Sequence, residues 1–426
     1  MKGVMEGLIV SSGLSAFGII HDMMRSSKKG FEVQIFVILT IVTSILGGPR
    51  GNKPIATSEL THEFGPFITD FSIDIFKSLV KSSFNGTTSP ENVIFSPSSA
   101  FRALLLLSLS AGDDSKSQLE KGLHIEGISE VGTKYKSWKK SKLKGVMEGD
   151  RLYRDKSVTI QDTFITLIGG DDIEEVDMSD AGTVGTINEW VSQITDDQIS
   201  KFLDKIDPET KLILLSAINM KGEWTSGFEK KDVKQAKFTL SDRSTVTVPM
   251  MYKEDRFDYF DSESLKSGVV SLDYKDSPLK FVIFLPDEDQ TIQKLVSLMS
   301  REVIQTAMAG LKAASIKFSL PKFQVEKKVD FVPLCKALGI TDVFDPFKAS
   351  ISAFKSDKPL YVKEVLQKVV VNVDEKGTTA AAATEENFSV RGGATPFTCD
   401  RPFVYMIYDK SSGTPLFLGT MMNPNE

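Results

Sequence analysis

Histidine is nearly absent from this chain. Of 426 residues only His21, His62 and His124 are histidine, and they lie far apart, so a histidine-based catalytic or metal site is a poor reading from the outset. Cysteine is scarcer still. Cys335 and Cys399 cannot make a disulfide framework, and both are expected as buried thiols acting as small apolar residues. Positive charge is not in excess: the formal net charge of −6 argues against a dominant nucleic-acid role. The apolar run Ile35–Leu46 has twelve residues, short of the roughly 20 that a helical bilayer span needs. Length alone would suggest two or three domains, but no Pro/Gly/Ser-rich boundary interrupts the chain between Phe64 and Gly377, so one large unit is expected.

What is present reads as an ordinary soluble protein, with 41% hydrophobic and 25% charged residues. Ile68, Phe71, Ile75, Phe76 and Leu79 recur at helical spacing and predict an amphipathic first helix. Phe101–Leu109 is apolar apart from Arg102 and Ser108, which predicts a central buried helix starting just after Pro97. Leu212–Met220, Phe281–Pro286 and Val369–Val373 are apolar runs of strand length, suited to a sheet covered on both faces. Strands and helices intermix without a βαβ period. The predicted class is therefore α+β with large mixed β-sheets.

After the last of those strands the packing signal stops. From Gly377 to about Pro396 the chain carries small and polar side chains without a usable apolar face, and a loop of that length is either functional or disordered. Gly377 supplies a hinge. Ala380, Ala381, Ala382 and Ala383, set between Thr378 and Thr384, are slim enough to slide between neighbouring strands.

The residues around this loop carry a resemblance. Phe397-Thr398-Cys399-Asp400-Arg401-Pro402-Phe403 and the last strand Pro415–Thr420 resemble the signature of the serpin family of serine-protease inhibitors, and the alanine-rich stretch resembles its reactive-loop hinge. Asn92-Val93-Ile94-Phe95-Ser96-Pro97-Ser98-Ser99 looks like the family's shutter segment. Ile187–Val191, Met220–Trp224, Val248–Met251 and Leu338–Phe344 follow in the family's order and spacing. The resemblance implies a monomeric serpin domain over residues 58–426, with helices around the sheets and an exposed reactive-centre loop at about 375–396. It implies no catalytic residues and no cofactor, but a suicide inhibitor whose cut loop enters the main sheet as a new strand, the family's established behaviour.

The same resemblance implies roles residue by residue. Arg391 stands fourteen residues beyond Gly377, where the family keeps its specificity residue, so Arg391-Gly392 is the expected reactive bond and a trypsin-like serine protease the expected partner. The hinge would comprise Glu375, Gly377, Thr378 and Ala380 to Thr384. The shutter would be Ser96, Ser99, Ser216 and Gln367, the last two in place of the family's usual asparagine and histidine. Trp224 and Lys322 would sit at the breach, with Lys322 bridging to Glu375. A non-inhibitory serpin, acting as carrier, chaperone or plain substrate, is the alternative; the alanines favour the inhibitor, whereas Glu386 would face inward on insertion.

The amino terminus lies outside that domain. Residues 1–23 form an extension of uncertain role, 24–48 read as basic, apolar and small in the order of a secretory signal, and 49–57 as a linker. Three readings stand: translation starts near Met24 and the protein is secreted, the run is a short signal-anchor that tethers it to a membrane, or it is a buried helix. Asn85-Gly86-Thr87 and Asn387-Phe388-Ser389 are glycosylation sequons. Lys134, Lys136, Lys139, Lys140, Lys142 and Lys144 surround Trp138, either as a site for a glycosaminoglycan-like polyanion or as a solvated basic face.

Overall fold

The computed structural model describes residues 57–87, 89–140, 143–378 and 393–426. Helix α1, Thr57–Ser83, buries Ile68, Phe71, Ile75 and Phe76 along one stripe, while Leu79 is only partly covered. Helix α2, Pro97–Ser110, starts where the sequence puts proline at the first helical position, and the Ser96 side chain accepts the Ser99 N–H as its cap. α2 is buried nearly throughout. Phe101 meets Phe64 and Phe71 of α1 at ring-centroid distances of 5.9 and 5.8 Å, which makes α2 the axis of the largest apolar cluster.

Two principal sheets hold the rest. The strands of the smaller one are numbered here β1 (Val146–Asp155), β2 (Ile173–Val176), β3 (Leu212–Met220), β4 (Phe323–Asp330) and β5 (Glu364–Val373), and they lie in the order β4-β5-β3-β1-β2. All nine residues of β3 are buried, and their alternation assigns the two faces. Leu212, Leu214 and Ser216 face α2; Ile213, Leu215 and Ala217 pack under the helix Gly182–Ile194 through Ile187 and Val191. Its neighbours differ in direction. β1 runs antiparallel to β3, whereas β5 runs parallel to it, from Glu364 opposite Ile213 to Val370 opposite Asn219.

The larger sheet has nine strands, with Val93–Phe95 at one end and Thr395–Thr398 at the other. Leu279–Pro286 lies in its middle, covered on both faces, as its composition predicts. The strand Thr395–Thr398 pairs in parallel with Lys312–Pro321. Pro396 removes a donor from this edge and so discourages pairing with another chain. The chain is α+β, as expected. The loop is shorter at both ends than its composition suggests, because Gly377-Thr378 and Thr395-Pro396 already belong to strands. Composition missed this since the four residues pair through backbone groups, which side-chain polarity does not report.

Candidate functional site

The four residues expected at the shutter converge on the seam between β3 and β5. Ser96 donates its N–H to Gln367 Oε1 at 2.7 Å and accepts from Gln367 Nε2 at 3.0 Å, and Gln367 Nε2 also reaches Ser216 Oγ at 3.4 Å. Ser216 and Ser99 share a hydroxyl contact of 2.6 Å, and Ser99 donates to Asp150 Oδ1 at 3.0 Å. All four predicted residues are therefore joined in one buried network, re-paired around serine and glutamine. Sequence reasoning missed its far end: Arg102 Nε bonds Asp150 Oδ2, and Arg102 Nη1 reaches Glu148 Oε1 at 2.5 Å. Burial raises the Asp150 carboxyl above its usual range against the pull of Arg102. Burial works against the Arg102 charge as well, but the two carboxylates outweigh it and hold the guanidinium protonated. The available signal was Arg102 itself, a lone charge in an apolar helix that demands a buried partner.

The residues expected at the breach, Trp224 and Lys322, lie where the chain leaves β5. Asp374 Oδ1 accepts the N–H groups of Lys376 and Gly377 at 2.8 and 3.2 Å, which reverses the chain. Gly377 has φ +147°, and a Cβ there would lie 2.1 Å from Gly222 O. Only glycine lets Gly377-Thr378 lie antiparallel against Gly222-Glu223. Trp224 then holds the reversal with two donors, its backbone N–H to Lys376 O at 2.9 Å and its indole N–H to Asp374 O at 3.0 Å. Its ring stacks on Tyr274 at 4.7 Å. Lys322 Nζ meets Glu375 Oε2 at 2.5 Å, and that bond, ahead of a smaller opposing effect of burial, keeps the Glu375 carboxyl below its ordinary range.

The remaining sequence candidates are placed unevenly. Ala380, Ala381, Ala382, Ala383, Thr384, Asn387, Arg391, Gly392 and Lys142 lie outside the described residues, as do residues 1–56. Asn85 is exposed in the turn after α1. Cys335 and Cys399 are buried and unbonded to each other, as expected. Three lysines of the cluster face carboxylates: Lys134 is 3.6 Å from Glu63, Lys139 2.8 Å from Asp172 and Lys144 3.6 Å from Asp276, while Lys140 is exposed. Lys136 donates to Thr166 O at 3.3 Å. Those partners are distant in sequence, so a local count of lysines overstated the free charge, and Trp138 is buried instead of presented between them.

Comparison with known proteins agrees with this geometry. The family model described as serpin (serine protease inhibitor) matches residues 67–424. Human leukocyte elastase inhibitor is 31% identical over 376 residues, covering 84% of this chain and 98% of that protein, and bovine plasminogen activator inhibitor 1 is 28% identical with coverages of 84% and 91%. Among solved structures, the native thermophilic serpin tengpin superposes with a TM-score of 0.76 at 29% identity, covering 85% of this chain and 94% of that one. Mouse protein-Z dependent protease inhibitor gives 0.77 at 25%, covering 88% and 100%. A parallel seam closed by Gln367 and Ser216, a glycine reversal at its upper end and a family match over most of the sequence lead to one assignment: this chain belongs to the serpin family.

Proposed function

We propose that the protein is a secreted, monomeric suicide inhibitor of trypsin-like serine proteases, cut between Arg391 and Gly392 and completed by entry of the cut loop between β3 and β5. One observation carries this reading: β3 and β5 are parallel neighbours, and the chain leaving β5 turns back at Asp374–Gly377. A strand continuing from that reversal runs antiparallel to both and can pair with each. About a dozen new hydrogen bonds at about 1 kcal/mol each, with the side chains they bury, supply a large driving force. Gly377 and Thr378 already sit in strand geometry at the start of that path.

Arg391 supplies the specificity, because its planar fork suits the buried carboxylate of a trypsin-like primary pocket. Relatives named as inhibitors of leukocyte elastase and of plasminogen activator support inhibition over a carrier role. Secretion rests on residues 24–48 acting as a cleaved signal, which the exposed sequon at Asn85 suits. Incubation with trypsin tests the whole reading. An SDS-stable band near the summed masses is expected, and Arg391→Ala removes it; cleaved protein alone, at every ratio, would favour the non-inhibitory alternative.

A further inference from the structure

The start of α2 is bonded to both halves of the smaller sheet. On the β5 side, Ser96 and Gln367 share two neutral hydrogen bonds, at 2.7 and 3.0 Å. On the β1–β3 side, Ser99 meets Ser216 at 2.6 Å and Asp150 at 3.0 Å, and one turn later Arg102 pairs with Asp150. Arg102 and Asp150 are only 7% and 8% exposed. A strand entering between β3 and β5 moves them apart by about 4.8 Å. No hydrogen bond spans that added distance. α2 cannot stay attached to both halves, so one attachment must be released.

The two attachments are unequal. Releasing Gln367 frees an amide, whereas pulling Asp150 from Arg102 leaves an uncompensated charge in the core, which is far more costly. We propose that Arg102 and Asp150 are positioning residues which lock α2 to the β1–β3 half, so that the sheet gives way at Gln367. This rests on the loop-insertion reading above and adds the side on which the seam opens. Glu148 completes the lock from the partly exposed flank of Arg102.

Two measurements with trypsin as the probe decide it. The first is the ratio of SDS-stable complex to cleaved inhibitor, which reads insertion against hydrolysis: Gln367→Met removes the bonds that must break and raises the ratio about tenfold, the equivalent of about 1.4 kcal/mol. The second is amide exchange at Ser96, whose N–H is held by Gln367: cleavage should speed it at least about tenfold in the wild type. With Arg102→Met and Asp150→Asn together, the lock is gone and Ser96 keeps its protection after cleavage; Arg102→Lys, which retains the charge, behaves as wild type. Ser96 protection that survives cleavage in the wild type, or is lost equally in the double variant, overturns the proposal. Should the double variant fail to fold, the wild-type and Gln367→Met results still decide. A wild type that is only cleaved, and melts no higher afterwards, overturns the inhibitory reading instead, with no strand inserted at all.

Discussion

The Thr378 hydroxyl lies 2.8 Å from the hydroxyl of Tyr274, and both side chains are buried. The first residue after the hinge glycine is thus docked before any protease arrives. Tyr274→Phe would leave the Thr378 hydroxyl without this partner at a cost of about 1–2 kcal/mol. The expected result is a fall of about 2 °C or more in the melting temperature of uncleaved protein. Faster amide exchange across Gly222-Glu223 and Gly377-Thr378 should accompany it.

Gly377→Ala is expected to be harsher. Its Cβ would lie 2.1 Å from a backbone oxygen that no side-chain movement relieves, at a φ of +147° that alanine avoids. The strand pair Gly377-Thr378 with Gly222-Glu223 should open, at about 1–3 kcal/mol or more. Limited proteolysis of the uncleaved variant should cut near residue 377 faster than in wild type, and an unchanged rate would mean that the pairing does not hold the hinge.

These contacts mark what the sequence disclosed. Ser96, Ser99, Ser216 and Gln367 were legible through the family resemblance, with Ser216 and Gln367 standing where the family usually has asparagine and histidine. Lys322 and Glu375 were legible only through the family resemblance. Asp150 was not, because in β1 it stands in the run Glu148-Gly149-Asp150-Arg151, where one aspartate looks like any solvent-facing position. Tyr274 was missed for the opposite reason: an aromatic residue beside a turn is unremarkable until Trp224 stacks on it and Thr378 bonds it. Pairing across 48 or 104 positions is a property of the fold, and no local pattern encodes it.

Acid should loosen the breach through Glu375. Its carboxyl gives up its proton more readily in the folded than in the unfolded chain, because Lys322 bonds the carboxylate. The pair therefore contributes fully above the ordinary glutamate range near pH 4.5 and is lost as pH falls below it. Between pH 6 and pH 3 the uncleaved wild type should lose more melting temperature than Glu375→Gln. Parallel curves for the two proteins would show that the bridge adds nothing.

Export makes a separate claim on the same molecule. Mature protein recovered from a secreting host should begin shortly after Gly48 and carry a glycan at Asn85, which is exposed in a turn. Asn387 should be largely bare, since a glycan four residues before the reactive bond would obstruct docking and insertion. Mass spectrometry showing an intact Met1 terminus and no glycan would contradict export while leaving inhibition standing.

The last prediction concerns the one loop residue that suits insertion badly. Strand alternation from Thr378 turns Thr378, Ala380, Ala382, Thr384, Glu386 and Phe388 to the same face, and Thr378 is already buried. Glu386 would follow it inward, where an unpaired carboxylate costs a few kcal/mol or must take up a proton. Glu386→Val would remove that cost from the inserted state, so insertion should gain on hydrolysis of the acyl-enzyme. Titration against trypsin should require fewer inhibitor molecules per enzyme inactivated, with the cleaved variant melting above the cleaved wild type. An unchanged stoichiometry would mean that Glu386 finds a cation or solvent in the inserted strand, and the inward face would then have to be reassigned from Thr378 onward.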